Sequence, residues 1–138
     1  MTYAAALSDL HTFALKALAA ERYPNDYHIF RAFECDACGP IPFVMVAEHH
    51  TDSKDGDFKG KIWGDCTNCG ARKRLMSYTG DHRKKISEEK IFCECGGVGF
   101  VGGEMERMED GAMGFFDEGV IVGQCADCQS NRVIVVTD

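Results

Sequence analysis

Eight cysteines fall into four close pairs, Cys35-Asp36-Ala37-Cys38, Cys66-Thr67-Asn68-Cys69, Cys93-Glu94-Cys95 and Cys125-Ala126-Asp127-Cys128, with none left over. Two residues between cysteines let both sulfurs point at one tetrahedral ion, and a following Gly supplies a left-handed backbone position that turns the chain away. Gly39, Gly70 and Gly96 stand in that place after three of the pairs, and Gln129 after the fourth. The Cys93-Glu94-Cys95 turn is one residue tighter than the others. One Cys-x-x-Cys alone suits a redox couple, but two such turns joined by a strand-and-loop length fit a four-thiolate zinc site, and the chain holds two sets. The alternative, four disulfides, needs an oxidising compartment. Met1 to Ala20 has no basic leader, carries Asp9 and lacks a continuous apolar run, so secretion is not indicated and a cytoplasmic location is expected.

The 138 residues and 45% apolar content suit one soluble domain or two very small ones. The longest apolar run, Ile41 to Ala47, is far too short to span a bilayer, so no membrane partner is expected. Net charge is −7 before any thiolate is counted, and two four-thiolate zinc centres would take it to about −11. Residues 1–90 hold 13 basic and 13 acidic residues, whereas residues 91–138 hold 2 and 9. The second half therefore carries all of the excess charge, which opposes a general attraction to nucleic acid.

The cysteine turns need elements to hold them. Tyr3, Leu7, Leu10, Ala14 and Leu18 recur at helical spacing in an Ala-rich stretch and predict an amphipathic helix from about Thr2 to Arg22, capped by Thr2 and stopped by Pro24-Asn25-Asp26. Its apolar face requires a partner, either the sheet of the first metal module or another subunit. His11 lies off that stripe and reads as solvated. Tyr27 to Phe33 predicts a strand leading into the first cysteine turn. Pro40 and Pro42 impose extended backbone, Phe43 to His50 predicts the next strand, Thr51 to Gly56 a loop, and Phe58 to Asp65 and Ala71 to Tyr78 the strands flanking the second turn.

With the cysteines as ruler, the second half repeats the first. At an offset of 57, Cys38-Gly39 falls on Cys95-Gly96 and Phe43-Val44 on Phe100-Val101; at 59, Ile62-Trp63-Gly64 falls on Ile121-Val122-Gly123 and Leu75 on Ile134. The repeat favours sequential sites, Cys35/Cys38 with Cys66/Cys69 and Cys93/Cys95 with Cys125/Cys128, over a cross-braced pairing, which the sequence alone leaves open. His49, His50 and His82 read as structural or solvent-facing, because eight thiolates already satisfy two tetrahedral ions.

At these residues the chain resembles the zinc-ribbon and rubredoxin-like superfamily, whose metal sits between two cysteine knuckles on β-hairpins. The resemblance covers Cys35 to Tyr78 and, more loosely, Cys93 to Val136. It implies a small β-rich α+β fold: an N-terminal helix over residues 1–26, a first ribbon module over 27–80, a charged linker over 81–90 and a second module over 91–138. Rubredoxin-like iron sites carry an aromatic soon after the first knuckle and a Pro inside the second. Here Pro40 follows Gly39 and the second knuckle holds Thr67-Asn68, which favours zinc over iron, two ions per chain.

Arg72, Lys73, Arg74, Arg83, Lys84 and Lys85 form the one basic stretch, with Tyr78 and His82 near enough to stack on a base; alternation along a strand explains Arg72 and Arg74 equally well. The chain has no Gly-x-x-x-x-Gly-Lys loop, Gly-x-Ser-x-Gly elbow or His-Glu-x-x-His helix, and four cysteines close a zinc site that catalysis would need open. The expectation is therefore a non-enzymatic double zinc ribbon that binds a partner protein or a second copy of itself. A nucleic-acid-binding ribbon and a rubredoxin-like electron carrier are the alternatives.

Overall fold

A computed structural model describes residues 2–50, 60–77, 85–108 and 116–137. The elements run in the order α1 (Tyr3–Ala17), a 3-10 turn (Ala20–Arg22), β1 (Tyr27–Ala32), β2 (Phe43–His50), β3 (Gly60–Cys66), β4 (Arg72–Ser77), β5 (Lys85–Lys90), β6 (Gly99–Met108), β7 (Phe116–Cys125) and β8 (Asn131–Thr137). The fold is β-rich with one N-terminal helix and antiparallel strand pairing. Contacts divide the chain into two compact units that interleave in sequence: residues 1–33, 101–124 and 129–138 form one, residues 34–100 and 125–128 the other.

In the first unit the helix begins as expected. The Thr2 side chain accepts the Ala5 amide, satisfying one of the donors every helix start leaves open. It ends earlier than Arg22. Leu18 closes α1 and Ala19 turns into the left-handed region at φ 52°, so the chain re-enters a short 3-10 turn instead of continuing to Pro24. Ala6, Leu10, Ala14 and Leu18 form the buried stripe and pack with Val101, Met105, Val120 and Val122. Each large apolar side chain so buried contributes about 1.5–3 kcal/mol. The helix thus covers β6 and β7, and Phe30 of β1 and Val133 of β8 pack against the same cluster. His11 is exposed and meets Phe30 edge to face at 5.6 Å between centroids.

β1 pairs antiparallel with β6, from Tyr27 opposite Met108 to Ala32 opposite Gly103, and β7 and β8 follow β6 in order. Gly103 leaves the room that the Phe30 ring occupies. Arg107 is buried. It donates to Asp26 Oδ2 at 2.8 Å and stacks 3.7 Å from the Tyr23 ring, tying the segment before β1 to β6.

In the second unit β4, β3 and β2 lie in that order. The other edge of β2 takes two partners: Phe43 and Val44 pair with Phe100 and Gly99, and Val46 to His50 pair with Lys90 to Lys85. The stretch expected to be a linker over 81–90 thus contributes β5, whose backbone satisfies a strand edge that would otherwise be open. Phe43, Met45, Ile62 and Phe100 are fully buried, and Gly64 admits the Phe43 ring and the Leu75 side chain on its own face. The register of β3 with β4 recurs in β7 with β8 at an offset of 59. Ile62 opposite Met76 and Trp63 opposite Arg74 become Ile121 opposite Val135 and Val122 opposite Val133, with a bulge between the same two positions in each pair. The loop expected over Thr51 to Gly56 and the position of Tyr78 lie outside the described residues.

Glu104 and Glu106 stand two apart on β6 beside Arg31, whose Nη1 is 3.8 and 3.4 Å from their carboxylates. Burial, then the charge and hydrogen bond of Glu106, push the Glu104 carboxyl up to about 7, with Arg31 opposing. A carboxyl raised in the folded state keeps its proton where the unfolded chain has lost it, so its contribution is full below about pH 4.5 and lost as pH rises through about 7. Glu104→Gln is expected to be more stable than the wild type at pH 8 by about 1 kcal/mol and to lose that advantage at pH 4, as read by urea denaturation at the two pH values. A constant difference between the variants across that range would refute it.

Candidate metal centres

The cysteine turns fold locally because each residue after the second cysteine takes a left-handed conformation: Gly39 at φ 77°, Gly70 at 76°, Gly96 at 91° and Gln129 at 61°. In three of the turns the amide of that same residue returns to the first cysteine. Gly39 donates to the Cys35 carbonyl at 2.8 Å, Gly70 to that of Cys66 at 2.9 Å and Gly96 to that of Cys93 at 2.8 Å. A short return strand completes the first turn, where Cys35 bridges to Gly39. The side-chain direction is then set by the strands, since Cys66 ends β3 on the same buried face as Ile62.

The eight sulfurs gather into two groups, Cys35, Cys38, Cys66 and Cys69, and Cys93, Cys95, Cys125 and Cys128, with every sulfur of a group within 4.8 Å of the others. This is the sequential pairing. All eight cysteines are free of disulfides. The Cys35–Cys69 sulfurs are 3.7 Å apart, Cys93–Cys128 3.5 Å and Cys95–Cys125 3.6 Å. Sulfurs each about 2.3 Å from one central ion stand about 3.8 Å apart along a tetrahedron's edge, so the geometry fits a single ion per group. Both groups belong to the unit formed by residues 34–100 and 125–128.

The surroundings of the first group are built for anionic sulfur. The backbone amides of Asn68 and Cys69 donate to Cys66 Sγ, each at 3.4 Å, and Asn68 Nδ2 donates to Cys38 Sγ at 3.3 Å, joining the two turns. The Cys69 amide foremost, helped by that of Asn68 against burial, draws the Cys66 thiol down to about 6. Cys69 responds oppositely: the Ala71 backbone lowers it, but Cys35, Cys38 and Cys66 together push it up to about 11. In the second group the Gly97 amide lowers Cys95, while Cys125, Cys128 and Cys93 push it up to about 12. A divalent ion bound by either group would replace the protons of its thiols.

Next to each second turn a cross-strand pair closes the hairpin. Arg72 makes a bidentate contact with Asp65 at 2.7 and 3.1 Å and reaches Glu88 at 3.1 Å. At the matching positions Gln124 Nε2 donates to Asn131 Oδ1 at 3.0 Å. Lys73 donates to the Glu34 carbonyl at 2.9 Å and to Asp36 at 3.0 Å. Of the basic stretch, Arg72 and Lys73 therefore face carboxylates and a carbonyl of the same chain, and Arg74 is exposed. Arg83 and Lys84 lie outside the described residues, as do Tyr78, His82 and the Lys85 side chain.

His49 Nε2 meets Glu89 at 3.0 Å, and buried His50 hydrogen-bonds Glu48, which also accepts from Trp63 Nε1 at 3.1 Å. Among the described residues, the groups able to hold a metal ion consist of cysteines alone. Sequence reasoning missed the roles of Asn68, Asp127 and Gly97. A β-carbon at Gly97 would fall 2.7 Å from Asp127 Oδ2, 2.9 Å from Cys125 Sγ and 3.3 Å from Cys95 Sγ, so only glycine fits against the second group. The signal was present as the second glycine of Cys95-Gly96-Gly97.

Comparison with family models, with curated proteins and with solved structures finds no match to this chain. The functional argument thus rests on the two sulfur clusters.

Gly97→Ala is expected to cost the second group its ion and spare the first, so elemental analysis should fall from two metals per chain to one; an unchanged content of two would refute the packing argument. Gln129→Gly removes a side chain from a left-handed position that its three counterparts fill with glycine. A gain of about 1 kcal/mol in denaturant unfolding is expected, and no gain would show that the turn tolerates Gln without strain.

Proposed function

We propose that the chain is a double zinc-ribbon protein whose two zinc ions are structural and whose role is to present a surface to a partner protein. The observation that carries this reading is the pair of four-sulfur clusters, each supplying all four ligands of a tetrahedral ion. Four protein ligands leave no position for water or substrate, which supports a structural and non-enzymatic role. Duplication of one ribbon unit accounts for the matching registers of β3 with β4 and β7 with β8 and for their shared bulge. Eight free thiols fit a reducing, cytoplasmic setting, and among the described residues no helix is long and apolar enough to cross a membrane.

A protein partner is favoured over nucleic acid for two reasons. Arg72 and Lys73 are engaged by carboxylates within the chain. Tyr27 and Ile29, 61% and 37% exposed on one face of β1, together offer an apolar surface of the kind protein contacts use.

Purified chain is expected to contain two zinc ions and no visible absorption, and Cys66→Ser is expected to unfold the first centre, because structural zinc contributes on the order of 10 kcal/mol to so small a fold. Single-stranded RNA or DNA is expected not to bind at low salt. Red protein with one iron per cluster would establish the electron-carrier alternative. A salt-dependent shift abolished by replacing Arg72, Arg74, Arg83 and Lys84 with Ala would establish the nucleic-acid alternative.

A further inference from the structure

The two clusters share a plan but not an environment. In each second turn the residue before the last cysteine occupies the same place, Asn68 in one and Asp127 in the other. Asn68 donates its side-chain N–H to Cys38 at 3.3 Å. Asp127 Oδ2 lies beside Gly97, next to the Cys125 and Cys95 sulfurs, where the Gly97 backbone amide donates to Cys95 Sγ at 3.4 Å in place of a side-chain amide such as that of Asn68. Where the first cluster has an amide N–H that donates, the second thus has a carboxylate oxygen, an acceptor.

Exposure differs in the same direction. Only Cys69 of the first cluster is exposed, whereas both Cys95 and Cys128 of the second are. The wider charge follows suit, since residues 91–138 hold 9 acidic residues against 2 basic ones.

We infer that the second centre, Cys93/Cys95/Cys125/Cys128, is an exchangeable metal site that gives up its ion to chelating acceptors and its sulfurs to electrophiles, while the first is locked. The inference rests on the metal-binding reading above. A divalent ion held by four thiolates forms an anionic centre. A hydrogen-bond donor such as Asn68 stabilises that anion; a second anion such as Asp127 raises its energy and leaves the sulfur lone pairs more available. Two exposed cysteine residues leave the incoming ligand an approach from solvent. The ion passes from sulfur to acceptor as a divalent cation, with no change in oxidation state on either side.

The test uses the full chain loaded with two zinc ions and challenged with excess 4-(2-pyridylazo)resorcinol, whose zinc complex is followed by absorbance. Release in two equal phases is expected, the fast one at least about tenfold ahead, the scale on which outer hydrogen-bond partners act on metal sites. Asp127→Asn should slow the fast phase about tenfold, and Asn68→Asp should accelerate the slow one; neither variant removes a ligand. Limited alkylation of the loaded chain with iodoacetamide, mapped by peptide mass, should modify Cys95 and Cys128 before any cysteine of the first cluster. One release rate for both ions, a fast phase indifferent to Asp127→Asn, or earlier alkylation of Cys69 would each overturn the inference while leaving the two-metal reading intact. Failure of the chain to bind zinc, or to show cobalt–thiolate absorption with cobalt, would instead overturn the metal reading and this inference with it.

Discussion

Four sulfurs held within 4.8 Å of one another are the constraint to which the surrounding unit answers. Each cluster joins two turns that lie far apart in sequence, so the chain between them is a closed loop whose entropy must be offset. Packing around Phe43, Ile62 and Phe100 offsets part of it. Small units seldom build enough core to do so alone, and a metal that binds only the gathered sulfurs would supply the rest. The left-handed residue after each turn, the amides aimed at Cys66 and the absence of a side chain at Gly97 all serve to hold sulfur at contact distance without another atom intervening.

The other unit is organised by ordinary apolar burial. Helix α1 sets a stripe of Ala6, Leu10, Ala14 and Leu18 against Val101, Met105, Val120 and Val122, and buried Arg107 ties the segment after the helix through Asp26 and Tyr23. A buried guanidinium is tolerated here because carboxylate and ring together replace its water. The cysteine ligands and this apolar core belong to different units, so the same short chain uses two distinct means of reaching a stable fold.

What could be read from sequence was local. The cysteine turns carry their chemistry in a few residues, and β2 announces itself by Phe43-Val44-Met45-Val46-Ala47 following Pro42. The end of the helix could not be read, because left-handed Ala19 breaks it in a run of good helix formers five residues before Pro24. β5 was hidden for the opposite reason: Lys85-Ile86-Ser87-Glu88-Glu89-Lys90 has the composition of a linker, and only the open edge of β2 makes it a strand. The partner of β1 lies more than seventy positions away, at Gly103 to Met108, where no local pattern points. Asn68 and Asp127 sit inside their turns with no local sign of what they meet. Their importance depends on sulfurs contributed by other turns, Cys38 in one case and Cys95 in the other.

The likeness between halves is strongest in backbone and weakest in charge. Phe43 and Phe100, matched at an offset of 57, lie directly opposite one another in an antiparallel pair. The Thr67 amide donates to the Pro42 carbonyl, and its counterpart Ala126 donates to that of Gly99. Around this preserved frame the side chains diverge: Asp65 with Arg72 is matched by Gln124 with Asn131, Gly70 by Gln129, and Asn68 by Asp127. Each exchange replaces an ion pair by a neutral pair, a strain-free turn by a strained one, or a donor by an acceptor. The backbone support is kept even at the second cluster, since the Gly97 amide donates to Cys95 Sγ at 3.4 Å, so what separates the two clusters is the side chains around them.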